Sequence, residues 1–449
     1  MPCQHRVVSN AMKVGILGHV GNENLGDEAI IAAVIQNIRR LRPDTKIYGF
    51  TLNPADTEQR HGIPSFPIRW GTRERGSPDS TIKESRHPEP STDLSMKSRL
   101  KESLKKIPLL HAMVRGTWRA FEVIPKFGRE LVFLLKSWRH TKGLDLLVIA
   151  GSHQLNDYVG GPWSFPYTVL KWTLLARAAG ARIVFLSMGA GPIQTWLGQR
   201  FICYALRIAS YRSYRDETSR QVVEFLCARH ADQVIPDLAF SLDLPPIAHK
   251  STGGRRAIVG INPLPFYAEY WHTTDRQKYG IYIEKLAAFA DWLVEGDCEV
   301  RFIPTQLRVD PAVIADVRDR MRYNNVPKFQ NMVVEPTIQC LDELMSALAE
   351  LDLMVATRYH GILLALAVQV PVLAIAYHDK SRDLMGWLAQ GHHVLDGEIF
   401  TADALKKQFT QLRTESETIR RTLQEQIPIF RSLVEKQYDD VFERITRDK

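Results

Sequence analysis

The sequence predicts an α/β protein of two doubly wound, Rossmann-like domains, the first carrying a basic helical insertion. Three observations predict it. Short apolar runs alternate with helical stretches through most of the 449 residues, as parallel strands joined by crossover helices do. The runs are continuously hydrophobic rather than alternating, as strands covered on both faces require. Polar residues gather where the runs end, and open parallel sheets bind ligands outside the carboxyl ends of their strands.

In chain order, Lys13 to Gly18 reads as a first buried strand, followed by a glycine- and asparagine-rich loop to Gly26. Asp27 is expected to cap a helix reaching about Leu41, with Glu28 in its first turn. Lys46 to Leu52 is the next strand. A strand, loop and helix N-terminus can hold phosphate through backbone N–H groups, but the spacing is neither a dinucleotide fingerprint nor a P-loop. Asp27 and Glu28 also oppose a close phosphate. A sugar hydroxyl, met by Asn22 and Asn24, or general-base work by Asp27, suits the loop better; the alternative is Asp27 as a helix cap only.

Residues 71–96 are polar and proline-bearing, the composition of a linker. Helical pieces follow, Leu100, Leu104, Ile107 and Leu110 recurring among lysines and arginines, then Glu130 to Trp138. Basic amphipathic helices with tryptophans fit an anionic membrane surface across 97–142; a helical pair with a solvated basic face fits equally. Strands at Leu144–Ala150, Arg182–Ser187, Tyr211–Tyr214 and Gln233–Ile235 alternate with helices at Pro166–Ala179 and Gln199–Ser210 and one ending at Cys227.

Residues 244–256 read as an interdomain linker, which divides the chain into 1–245 (insertion 71–143), 246–400 and a helical tail, 401–449. The second domain repeats the alternation. Strands are expected at Ala257–Ile261, Glu299–Ile303, Met332–Val334, Leu353–Ala356 and Val372–Ala376, and helices at Ile281–Val294, Pro311–Arg322, Leu341–Glu350 and Gly361–Val368. Arg358 and His360 follow one strand; Tyr377, His378, Asp379 and Lys380 follow the next. Cations and imidazoles gathered on one sheet edge ask for an anionic ligand, although either residue alone could be a cap or a core histidine. Two such domains facing a cleft make a GT-B-like architecture.

Composition excludes several classes. Hydrophobic content of 45% and charged content of 24% are ordinary for a globular chain. No run is long enough to span a membrane, and residues 1–12 lack the apolar segment of a signal peptide. The net charge of +8 is carried wholly by residues 71–143, which hold 16 Lys and Arg against 8 Asp and Glu, so no nucleic-acid partner is expected. Five scattered cysteines argue against disulfides and zinc and for a reducing compartment.

Five motifs in series resemble the polysaccharide pyruvyl transferase family: Gly21-Asn22 with Leu25-Gly26-Asp27-Glu28, Tyr214-Arg215-Asp216 with Ser219, Pro236-Asp237, Thr357-Arg358-Tyr359-His360, and Ala376 to Lys380. The resemblance covers both domains in order and leaves out the insertion and the tail. It implies transfer of the pyruvyl group of phosphoenolpyruvate to two hydroxyls of one sugar, forming a ketal on a cell-surface polysaccharide or its lipid-linked precursor. No cofactor is expected and, with no Asp-x-Asp motif in the sequence, no metal; the expected place is the cytoplasm, or the inner face of the plasma membrane through the basic segment. Arg215, Arg358 and Lys380 would bind the donor, and His360 would do acid–base work. Asp27 would activate or orient the acceptor, and Asn22, Asn24, Asp157 and His378 would line the substrate site. One departure stands out: where relatives carry glycines, this chain has Gly151-Ser152-His153-Gln154. Side chains there would narrow the approach that glycines allow and imply a different acceptor or altered activity. The rival expectations are a nucleotide-sugar glycosyltransferase of the same fold and a noncatalytic, membrane-associated assembly protein.

Overall fold

A computed structural model describes residues 11–18, 21–71, 128–158, 160–228, 232–245, 255–268, 274–324 and 326–447. It contains two parallel sheets. The first runs β3-β2-β1-β4-β5-β6-β7, from β1 (Lys13–Leu17), β2 (Lys46–Thr51), β3 (Ser65–Pro67), β4 (Leu146–Ala150), β5 (Arg182–Met188), β6 (Tyr211–Tyr214) and β7 (Gln233–Val234). The second runs β10-β9-β8-β11-β12-β13, from β8 (Ile258–Asn262), β9 (Glu299–Phe302), β10 (Val333–Val334), β11 (Leu353–Ala356), β12 (Val372–Ala376) and β13 (Val394–Asp396). Both orders reverse direction once, between β1 and β4 and between β8 and β11, and the crevice at such a reversal is where doubly wound sheets hold ligands.

Burial follows from sequence. β4, β11 and β12 are buried at every position, as continuous apolar strands must be. The Tyr359–Ala367 helix has no polar face beyond His360 and is otherwise wholly buried, so it needs neighbours on all sides. It finds them in the Leu25–Leu41 helix of the first sheet and in the C-terminal helix. One hydrophobic cluster therefore joins the second sheet, the Leu25–Leu41 helix and the inner face of the first sheet; a second cluster around Phe50, Phe185 and Trp172 fills the outer face.

The C-terminal helix, Ala402–Arg447, continues through Pro428. Phe409 packs on Phe289 of the second domain, and Phe430 packs on Phe240 of the first. Further along, Arg431 pairs with Asp243, and Gln437 reaches Ser187.

Several expectations change. The helix cap is Asn24, not Asp27: Asn24 Oδ1 accepts from the Gly26 N–H, and Asp27 sits in the first turn. The helix starts early because the Leu25 N–H is held by the Thr305 carbonyl of the other domain, at 2.8 Å. Cys203 and Cys227 form a disulfide, with Cα atoms 5.3 Å apart. Their helices, Trp196–Ile208 and Glu217–Cys227, pack side by side, a proximity that sequence spacing does not reveal. The bond removes the cysteine pattern as an argument for a reducing compartment. Helices at Pro54–His61 and Asp379–Trp387 and strands β3 and β13 were not expected.

The predicted linker falls mostly outside the described residues, as does the basic segment over 72–127. Of the second basic piece, a helix spans 128–141. Phe133 points inward against Trp172, while Leu131, Val132 and Leu135 are exposed. No helix among the described residues is long and apolar enough to cross a membrane.

Candidate active site

The carboxyl ends of the two sheets face each other across a cavity of about 220 Å³. The first domain contributes Asn24 and Asp27 after β1, Ser152 to Gln154, Asn156 and Tyr158 after β4, and Arg215 after β6. The second contributes Thr305, Arg358, Tyr359, His360, Tyr377 and Lys380. A direct seam holds the walls in register: besides Leu25 to Thr305, the Leu307 N–H donates to the Glu23 carbonyl at 2.9 Å.

Glycines allow the functional side chains to come this close. A Cβ on Gly26 would lie 2.3 Å from the His360 ring, and one on Gly189 would lie 2.7 Å from the Arg215 guanidinium. Gly26→Ala must therefore displace His360. It is expected to cut turnover roughly 10²-fold, as a misplacement of about 1 Å does, and to lower the melting temperature, because the clash reaches the His360 Cβ at 2.5 Å and overpacking costs about 1–3 kcal/mol; unchanged turnover would show that the ring position is immaterial.

His360 is buried, and its Nε2 has no hydrogen-bond partner. Asp237 Oδ2 lies 3.9 Å away. Burial lowers the His360 pKa, and the Asp237 and Asp27 carboxylates oppose that shift only in part. The imidazole is therefore neutral at pH 7, a base rather than an acid at the start of a reaction.

The cations are compensated to different degrees. Arg215, 4% exposed, ion-pairs with Asp216 at 3.4 Å and Asp237 at 3.5 Å and lies over the Tyr359 ring. Arg358 puts Nε and Nη2 on Asp310 Oδ1. The Lys380 ammonium rests 5.5 Å from the ring centres of Tyr359 and Tyr377 and has no carboxylate in ion-pair range among the described residues. Lys380 is the cation most open to an anionic ligand.

The loop after β4 brings the departure from the family pattern into the cleft wall. Arg215 Nη2 lies 3.3 Å from His153 Nδ1; a guanidinium can only donate, so Nδ1 accepts and the proton sits on Nε2. Burial, then Lys380, Arg215 and His378, hold the His153 pKa well below the usual imidazole value, so the ring is neutral. Its Nε2, with Ser152 Oγ, Gln154 Nε2 and Asn156 Oδ1, is buried and without a hydrogen-bond partner. Four such buried polar atoms in one loop are a costly arrangement unless water or a ligand meets them.

Of the residues singled out from sequence, Asp27, Asn24, Arg215, Arg358, His360 and Lys380 line the cavity together. Three do not line it. Asp157 is corrected: its carboxylate accepts from the Gln194 and Thr195 N–H groups at 2.8 and 2.7 Å and secures that loop. Asn22 is an interdomain contact, its side-chain oxygen accepting from Arg308 at 2.7 Å. His378 caps the Asp379–Trp387 helix and stands edge-on to His153; burial, then Lys380, lower its pKa to about 4. In the sequence Asp237 and Tyr359 stand out only as parts of motifs, and Ser152, His153 and Gln154 only as a departure from the family pattern; none is assigned a role in the site there. Asn156 and Asp310 are not singled out, and their signal is position alone, in the segments that follow β4 and β9.

Fold and cleft together define a GT-B-like protein with a polar cavity between two Rossmann-like domains. Solved structures share the architecture at low identity. Anabaena HepE in complex with UDP has a TM-score of 0.55 and 13% identity, covering 96% of this chain and 100% of that one. A UDP-N-acetylglucosamine 2-epimerase has 0.55 and 11%, covering 96% and 95%. A glycosyltransferase of Rickettsia africae has 0.52 and 9%, covering 98% and 100%. No curated protein sequence matches the chain. The chain belongs to the polysaccharide pyruvyl transferase family, whose model matches residues 24–379, and is a transferase.

Proposed function

We propose that the protein moves the pyruvyl group of phosphoenolpyruvate onto two hydroxyls of one sugar residue. The observation that supports this most is the neutral, partnerless Nε2 of His360 in a cleft that also holds Lys380 and Arg358. The donor carries a carboxylate and a phosphate; Lys380 supplies charge that no described carboxylate offsets, and Arg358 and Arg215, already paired with Asp310 and with Asp216 and Asp237, line the same cavity.

In the first step an acceptor hydroxyl attacks C2 while the C3 methylene gains a proton and becomes a methyl group. Neutral His360 takes the hydroxyl proton and delivers a proton to C3. In the second, the neighbouring hydroxyl attacks the same carbon, the C2–O bond to phosphate breaks, and phosphate leaves with the second hydroxyl's proton. Asp27, across the cleft and hydrogen-bonded by Asn24 Nδ2 at 2.8 Å, orients the acceptor. Ser152, His153, Gln154 and Asn156 meet its remaining polar groups. No metal or cofactor is required by this sequence of steps.

The acceptor is drawn from cell-surface polysaccharide or its lipid-linked precursor. On the 128–141 helix, Leu131, Val132 and Leu135 are exposed beside Lys136 and Arg139, a pattern that favours an anionic membrane surface. Incubation of phosphoenolpyruvate with a panel of saccharides tests the reaction. One acceptor should release one phosphate per ketal methyl group seen by proton NMR; phosphate release without a ketal, or glycosyl transfer from a nucleotide sugar, would contradict it.

A further inference from the structure

Away from the cleft, three side chains meet where the C-terminal helix crosses the second sheet. His392 and His393 lead into β13, and Glu415 lies on the helix. Each imidazole Nε2 is 3.2 Å from the same atom, Glu415 Oε2, and the ring centres are 4.0 Å apart. The two nitrogens and the oxygen all lie within 4.8 Å of one another. His393 is 1% exposed, yet its Nε2 has no hydrogen-bond partner although the carboxylate is close. A buried ring nitrogen 3.2 Å from a carboxylate oxygen, without a well-directed hydrogen bond to it, stands where a metal ligand would.

We propose that His392, His393 and Glu415 bind one divalent metal ion of the zinc class, which fastens the C-terminal helix to the β13 edge of the second sheet. Zinc takes imidazole nitrogen and carboxylate oxygen at about 2.0–2.2 Å in a tetrahedron, which places neighbouring ligand atoms about 3.3 Å apart. Both N···O separations fit that edge. Two imidazoles and one carboxylate suit zinc better than calcium or magnesium, which prefer oxygen shells, and leave a fourth position for water. The carboxylate is already oriented: Gln411 Nε2 donates to Glu415 Oε1 at 2.9 Å, leaving Oε2 for the metal, as outer partners of ligating groups do. None of the three residues lines the cleft, so the ion is structural. Its effect falls on the helix that continues to Asp243 and Ser187 of the first domain.

The test uses the full chain without a histidine tag, stripped with EDTA and titrated with zinc sulfate. One zinc per chain should bind, raise the melting temperature and lose that gain on renewed chelation; cobalt in its place should give the visible absorption of a tetrahedral site. His392 is half exposed, so His392→Ala should fold normally, bind zinc at least about tenfold more weakly and show no melting shift, and Glu415→Gln should behave alike. The proposal is overturned if the wild type takes up no zinc at micromolar concentration, or if both variants bind it as tightly as the wild type does. Neither result bears on pyruvyl transfer, because the site stands apart from the cleft.

Discussion

His360→Gln is expected to lower kcat by about 10²–10⁴-fold, the range for loss of a positioned general acid–base group, while the melting curve moves little. The glutamine keeps a polar group near the Gly26 backbone but cannot carry a proton between the acceptor hydroxyl and C3. The pH profile gives a second signature. Burial lowers the His360 pKa below 6.5, so the base is present through neutrality and is lost as pH falls through that depressed value. The acid limb of kcat/KM should therefore lie below the pKa of a free imidazole and should vanish in the variant. Retention of turnover within a few-fold of wild type would remove His360 from the chemistry.

Arg215→Met carries the largest expected stability loss. The guanidinium is buried between Asp216 and Asp237, and Asp237 is 2% exposed. Removing the cation leaves buried carboxylate charge without compensation, which costs about 3–5 kcal/mol in comparable buried pairs. Denaturant unfolding of the purified variant measures it. The double variant Arg215→Met/Asp237→Asn should recover part of the loss, because the charge that was stranded is gone. A single variant within 1 kcal/mol of wild type, on the scale of an exposed ion pair, would show that the pair is solvated in solution.

Much of the fold is legible in the chain because parallel strands advertise themselves. Leu353–Ala356 and Val372–Ala376 were bounded to the residue, since each is a continuous apolar run, and Pro371 marks the start of the second. β3, at three residues, and the Pro54–His61 helix, mostly polar and half exposed, leave too little pattern to read. The site was legible as a set of strand exits, because topology alone puts polar residues there.

What could not be read was pairing between distant exits. Asp310 holds Arg358 from another strand exit, and Asp237 holds Arg215, so cations that looked free are largely compensated. The choice of Asn24 over Asp27 as cap was made by Thr305 in the other domain, since both residue types cap well. The disulfide and the inward turn of residues 152–156 likewise depend on how helices and loops are laid side by side.

The central claim is that the cleft binds phosphoenolpyruvate, and a thermal-shift comparison tests it most directly. Wild type and Arg358→Ala are melted with phosphoenolpyruvate and with a panel of nucleotide sugars. At 100 times its dissociation constant a ligand adds about 2.7 kcal/mol of stability, a shift visible in a melting scan. Phosphoenolpyruvate is expected to stabilise the wild type, with the shift lost in Arg358→Ala and nucleotide sugars without effect. A nucleotide sugar that stabilises the protein where phosphoenolpyruvate does not would contradict the account and make the cleft that of a glycosyltransferase.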